Sequence, residues 1–207
     1  MSIRVLPLAG PDLARALPDL ARLRITVFRE WPYLYDGTLD YEETYIRRFA
    51  EAQGAMIVAA LDGARVVGAA TAAPLTSHTP AFAPLFTAAG YDPARIFYFG
   101  ESVLLPTYRG RGLGHAFFDA RERHAGASGA FTETAFCGVV RPDDHPARPA
   151  DYRPLDGFWT KRGYRKVPGL VGSYTWRDLG ASEATAKPMQ FWVRPLAAAS
   201  PDARRST

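Results

Sequence analysis

A strand, a glycine-rich turn and a helix follow one another directly in this chain. The run IFYFGESVLL at residues 96–105 reads as a strand, and Pro106, which lacks a backbone N–H, stops it. Gly110, Gly112 and Gly114 then alternate with other residues before helical spacing sets in over residues 112–125. Glycine lets the backbone approach a ligand closely, and the first-turn N–H groups of a helix have no partner inside it. With the positive end of the helix dipole they make an anion site suited to a phosphate, a pyrophosphate above all. A plain tight connection is the alternative.

Spacing narrows the choice. A P-loop needs Lys followed by Ser or Thr after its last glycine, whereas His115 and Ala116 follow here. The third glycine of a dinucleotide fingerprint falls at Phe117 counted from Gly112, and at His115 counted from Gly110, so both registers fail.

The remaining elements are read around this unit. Residues 3–8 form a first strand. Leu13, Leu17, Leu20, Leu23 and Val27 repeat at helical spacing over residues 11–30, with a break or restart expected at Pro18. A second helix is expected over residues 40–53, with Asp40 as N-cap, Glu43 completing a capping box, and Gly54 ending it. Residues 55–61 and 65–73 read as strands joined at Asp62-Gly63, a hairpin signal. Residues 74–95 carry four prolines and far exceed the usual ~4–6 residue connection, which marks a lid-like insertion or a decorative loop. Beyond the central helix come a strand at 131–140, a loop at 141–154, a short helix at 155–162 closed by Gly163, and strands near 164–178 and 189–194. Residues 1–195 form one mixed α/β domain, and 196–207 are expected to fray.

Composition excludes several classes. Of 207 residues, 47% are hydrophobic and 22% charged, which rules out wholesale disorder. A net charge of +4, spread over single arginines, does not point to nucleic acid but suits an anionic small ligand. No apolar run reaches the ~18–20 residues of a membrane span, and the first residues lack a signal-peptide layout. The lone cysteine, Cys137, excludes an internal disulfide and a multi-thiolate zinc site, and fits a reducing compartment, so a cytoplasmic location is expected.

The segment Arg109-x-x-Gly112-x-Gly114, after a strand ending Leu104-Leu105-Pro106, resembles the acyl-CoA signature of the GNAT N-acetyltransferase superfamily. Phe158-Trp159-Thr160-Lys161-Arg162-Gly163-Tyr164 resembles that family's later motif, a short helix ending in Gly-aromatic. The order of elements matches the family over residues 3–194. The resemblance implies a central mixed, mostly antiparallel sheet flanked by helices and splayed between its fourth and fifth strands. It implies acetyl-CoA or another acyl-CoA as co-substrate. Backbone groups of Val103, Leu104 and Leu105 would meet the pantetheine arm, the Leu104 N–H polarising the thioester carbonyl. Arg109, Gly110, Arg111, Gly112, Leu113 and Gly114 would hold the pyrophosphate. His115, in the first helical turn, either reaches a phosphate or is a partly exposed cap residue.

Amine acylation needs a base to take the ammonium proton. Glu101, a carboxylate within an apolar strand beside the expected thioester, is the candidate, and the family often places a Glu there. Its alternative is a salt-bridged or surface-facing Glu. The family's usual acid on the short helix is Tyr, but Trp159 stands at that position, and an indole N–H is no practical proton source. Tyr152 or Tyr164 supplies the acid instead, or water protonates the leaving thiolate. Tyr164 also reads as a core aromatic at the start of a strand.

Cys137 reads as a small buried residue, and Ser102 and Ser173 have no triad partners. His78 and His145 lack acidic or thiol partners at metal spacing, so no metal is expected, and His124 reads as solvated. The acceptor side falls to residues 24–41, where Arg29, Glu30, Trp31, Tyr33 and Tyr35 form either a substrate cage or packing under a loop. The 74–95 insertion and Asp143-Asp144 are further candidates. Implied partners are a small-molecule or peptide amine, with a homodimer open; neither nucleic acid nor a membrane is implied. The rival reading is a non-catalytic acyl-CoA sensor or interaction module on the same fold.

Overall fold

The structure, a computed structural model, describes residues 3–196; of the tail expected to fray, residues 197–207 lie outside the described residues. Its strands are β1 (Arg4–Leu8), β2 (Met56–Asp62), β3 (Arg65–Pro74), β4 (Ile96–Leu104), β5 (Glu133–Val139), β6 (Arg165–Arg177) and β7 (Ala184–Pro195). The helices are α1 (Gly10–Phe28), α2 (Leu39–Glu51), α3 (Leu75–His78), α4 (Ala83–Ala88), α5 (Leu113–Ser128) and α6 (Asp156–Lys161). One mixed sheet runs β1-β2-β3-β4-β5-β7-β6, antiparallel except for the β4–β5 pair. Helices α1 and α2 cover one face through Leu17, Leu20, Ile46 and Phe49. On the other face α5 buries Leu113, Phe117 and Phe118.

Three expectations need correction. The break at Pro18 does not occur, and α1 runs through it. Leu17, Leu20, Ala21 and Leu23 hold both halves to one core cluster, while Ala14, whose carbonyl Pro18 cannot bond, is exposed to water. The capping box of Asp40 and Glu43 does not form, because α2 starts at Leu39 with Thr38 at the N-cap and no side-chain cap bond. Asp40 lies in the first turn, where its charge still suits the dipole. Of the two alternatives for residues 74–95, the decorative loop does not hold: they fold into α3, α4 and two 3-10 turns, and insert Phe82 and Phe86 beside Tyr98, Phe191 and Val193.

Two irregularities of β4 position the site. Ser102 pairs with Ala70 and Glu101 with Thr71, but Phe99 pairs with Ala72, so Gly100 is an extra, bulged residue. Strand side chains alternate between faces, and one inserted residue reverses that alternation. Phe99 precedes the bulge on the α5 face, and beyond it Glu101 and Val103 lie on the opposite face, covered by α1 and α2. The second irregularity is that β4 and β5 pair only from Ile96↔Glu133 to Tyr98↔Ala135. Past that point β4 stays with β3 and β5 with β7, so a wedge opens between them.

Candidate active site

The wedge leaves one edge of β4 without strand partners. The Leu105 amide donates to the Val67 carbonyl at 3.0 Å, so it is committed to β3. By alternation the polar groups of Val103 also face β3, while those of Ser102 and Leu104 face the wedge. Consistently, the Leu104 carbonyl accepts from Arg109 Nε at 3.3 Å. Of the three residues expected to meet the pantetheine arm, Leu104 presents its backbone there.

At the mouth of the wedge, Gly110 and Gly112 adopt φ of +75° and +80°. An added Cβ at either meets nothing within 4 Å, so glycine serves the left-handed backbone and not close packing. Ala116 carries the first amide of α5 with a backbone acceptor, the Gly112 carbonyl at 3.1 Å. Among the described residues the amides of Gly112, Leu113, Gly114 and His115 meet no acceptor, and buried Leu113 anchors this turn to the core. Free amides at a positive helix end suit an anion.

The charged side chains around this turn have protein partners. Arg109 Nη2 donates to Glu30 Oε2 at 2.8 Å, with about half its side chain exposed. Arg111 lies over the Tyr108 ring at 5.1 Å, and Tyr108 donates to Asp62 at 2.8 Å. His115 Nδ1 is 3.0 Å from Arg162 Nη1, and its ring packs on Phe158 at 4.9 Å, which ties it to α6.

Glu101 is half-buried and ion-paired. Arg24 of α1 bridges it to Glu42 of α2, with Nη1 on Glu101 Oε2 and Nε on Glu42 Oε2. Side-chain exposure is 9% for Arg24, 10% for Glu101 and 0% for Glu42. Burial works against the Arg24 cation, but Glu101, Tyr45 and Glu42 outweigh it and push its pKa up. The guanidinium also stacks over Tyr45 at 4.3 Å. His78 is the other neighbour: a Cβ on Gly100 would lie 3.5 Å from its Nε2, and its ring is 4.6 Å from Phe49. Burial, with Arg24 adding to it, pushes the His78 imidazole down to about 4, leaving it neutral near pH 7. A cavity of about 320 Å³ opens beside it, walled by Tyr41, Tyr45, Arg48, Phe49 and Ser77.

Neither Arg24 nor Glu42 was singled out from the sequence. Both carry a signal there: each occupies the apolar stripe of its helix, Arg24 seven residues after Leu17 and Glu42 four before Ile46. A charge on a buried stripe needs a buried partner. Arg121 is a third case, between Phe117 and Ala125 on α5. It donates to the carbonyls of Phe117, Thr71 and Glu101 and to Ser102 Oγ, holding the bulge from behind.

The other candidates are engaged in packing. The Tyr164 hydroxyl is buried, 2.9 Å from Thr134 Oγ1 and 3.0 Å from Glu122 Oε1, as a core aromatic. Trp159 packs on Phe136 and Trp192 at 5.0 and 5.1 Å. Cys137 Sγ meets the Tyr98 hydroxyl at 3.0 Å, and burial pushes the thiol up to about 12. Tyr152 meets Trp31 edge-on at 5.9 Å. The aromatic connection after α1 is packed, because Arg141 donates to the carbonyls of Pro32 and Tyr33 and pairs with Asp178. Asp143 pairs with Arg148. Among the described residues no helix is long and apolar enough to cross a membrane.

A family model described as the acetyltransferase (GNAT) family matches residues 20–164. No curated protein matches the sequence. Among solved structures, an aminoglycoside 6'-N-acetyltransferase complexed with coenzyme A is 16% identical with a TM-score of 0.59, covering 98% of this chain and 100% of its own. NAA60 of Arabidopsis thaliana, in complex with a bisubstrate analogue, is 14% identical with a TM-score of 0.61 and coverage of 96% and 100%. The ribosomal-protein-S18-alanine N-acetyltransferase of Escherichia coli is 11% identical with a TM-score of 0.55 and coverage of 97% and 98%. At these identities the likeness is one of fold.

Proposed function

Because the chain belongs to the GNAT acetyltransferase family, we propose that it transfers an acyl group, acetyl foremost, from acyl-CoA to a primary amine by direct attack in a ternary complex. The observation that carries this reading is the wedge past Tyr98 and Ala135, open beside the four free amides at the start of α5. One acyltransferase domain then spans residues 1–195.

The donor set fits acyl-CoA. The turn of Gly110, Arg111, Gly112, Leu113 and Gly114 would hold the pyrophosphate, with Arg109 released from Glu30 as a counter-charge. When bound, acyl-CoA supplies an activated thioester. The Leu104 N–H, on the wedge edge of β4, polarises the thioester carbonyl. Val103 and Leu105 support that edge by pairing with β3. Glu101 takes the proton of the acceptor's ammonium, directly or through water, so that nitrogen can attack. With Tyr164 engaged in the core and Trp159 packed against Phe136 of β5, water passes the second proton of the attacking nitrogen to the sulfur as the C–S bond breaks. The acceptor, a small molecule or a peptide amine, approaches past α1, α2 and α3.

Glu101→Gln should lower turnover by at least ~10²-fold with CoA affinity little changed; unchanged turnover removes Glu101 as the base. Trp159 favours a second reading, acyl-CoA binding without turnover. Release of CoA thiol against a broad amine panel separates the two: sustained release excludes the sensor, and none with any amine favours it.

A further inference from the structure

The charges around Glu101 do not cancel. Two carboxylates, Glu42 and Glu101, share the one guanidinium of Arg24, which leaves a buried cluster with an excess negative charge. The titratable and charged neighbours come from every packed element. Arg24 belongs to α1, Glu42 and Tyr45 to α2, and neutral His78 to α3, while Tyr33 and Tyr174 lie further out. Arg121 of α5 approaches from behind, but it bonds the backbone carbonyl of Glu101 and not its carboxylate. Glu42 Oε1 is buried without a hydrogen-bond partner among the described residues.

A carboxylate with a guanidinium to itself is held firmly as an anion and is a poor base. A second carboxylate on the same guanidinium draws off part of that charge and repels the first, making protonation of either easier. From this geometry we propose that Glu42 is a positioning residue that acts through Arg24. By sharing the guanidinium it keeps Glu101 able to accept a proton, while Arg24 stops the carboxylate from turning out of the site. The proton leaves the ammonium nitrogen for a Glu101 oxygen, the lone pair stays on nitrogen, and the cluster becomes neutral overall. The proposal rests on Glu101 as the base, and it differs from a structural role because Glu42 would then set a pH profile and not only a stability.

The test titrates carboxyl groups by NMR on protein carrying carboxyl-labelled glutamate, alongside the pH profile of kcat/KM. In the wild type, the Glu42 and Glu101 signals should titrate as a coupled, biphasic pair; two independent single-site curves overturn the proposal without any variant. In Glu42→Gln the Glu101 midpoint and the acid limb of kcat/KM should both move to lower pH, with KM for acyl-CoA unchanged. Glu42→Asp keeps the charge and should stay near wild type. A Glu101 midpoint unmoved in Glu42→Gln, or moved equally in Glu42→Asp, overturns the coupling. Should Glu101→Gln keep full turnover while the midpoint still moves, the base assignment falls, and the Glu42–Arg24–Glu101 coupling is upheld.

Discussion

Arg121 Nη1 donates to the backbone carbonyl of Glu101 at 3.0 Å, from the side of the sheet opposite to Arg24. The same nitrogen reaches the Thr71 carbonyl at 3.2 Å across the bulge, and Nη2 takes Ser102 Oγ at 2.8 Å. The bulge that aims Glu101 at α1 and α2 is therefore held by a side chain with 1% of its surface exposed. Arg121→Met should leave these acceptors unsatisfied and cost about 3 kcal/mol in urea denaturation, with turnover falling in the part that remains folded. Ser102→Ala should cost about 1 kcal/mol.

His78 links stability to pH. Burial, then Arg24, hold its imidazole down to about 4 from 6.5, so the unfolded chain binds a proton that the folded chain refuses. Its contribution is intact above pH 6.5 and is lost as pH falls through about 4. Urea midpoints between those values should fall for the wild type. His78→Phe should be less pH-dependent, the difference growing to about 3 kcal/mol at the acid end.

Tyr164→Phe tests the acid assignment. Its hydroxyl sits between Thr134 and Glu122 in the core. Removing it should cost about 1–2 kcal/mol in thermal or urea unfolding and leave turnover within about twofold of wild type. A loss of turnover of ~10²-fold at unchanged CoA affinity would return Tyr164 to the chemistry.

The glycine turn is tested by size and charge at Gly112. Gly112→Ala adds strain of about 1 kcal/mol at φ +80° but keeps the amides. CoA binding by calorimetry should then weaken about tenfold or less. Gly112→Glu brings bulk and a negative charge to the phosphate site, and binding should vanish. Retained binding there refutes the phosphate assignment.

Much of this arrangement was legible along the chain, because it is local. Pro106 stopping an apolar strand, alternate glycines at 110, 112 and 114, and the helical spacing after them all depend on neighbours in sequence. The hairpin at Asp62-Gly63 is equally local. Pro18 misled because propensity is a local term, while α1 is held by long-range burial of Leu17, Leu20 and Leu23. The acidic residue Glu101 was visible, but its partners were not, since Arg24, Glu42 and Glu101 lie in three different elements.

The sequence by itself determined the strand–turn–helix unit, the kind of anion site that unit makes, and the presence of a carboxylate in the strand leading to it. Those follow from backbone freedom at glycine, the missing N–H of proline and the spacing of apolar residues. Only the tertiary structure decided which face Glu101 occupies, because a one-residue bulge at Gly100 reverses strand alternation and is set by pairing with β3. It alone decided where β4 and β5 part, and that a single buried arginine serves two carboxylates. Buried charge is balanced across space, not along the chain.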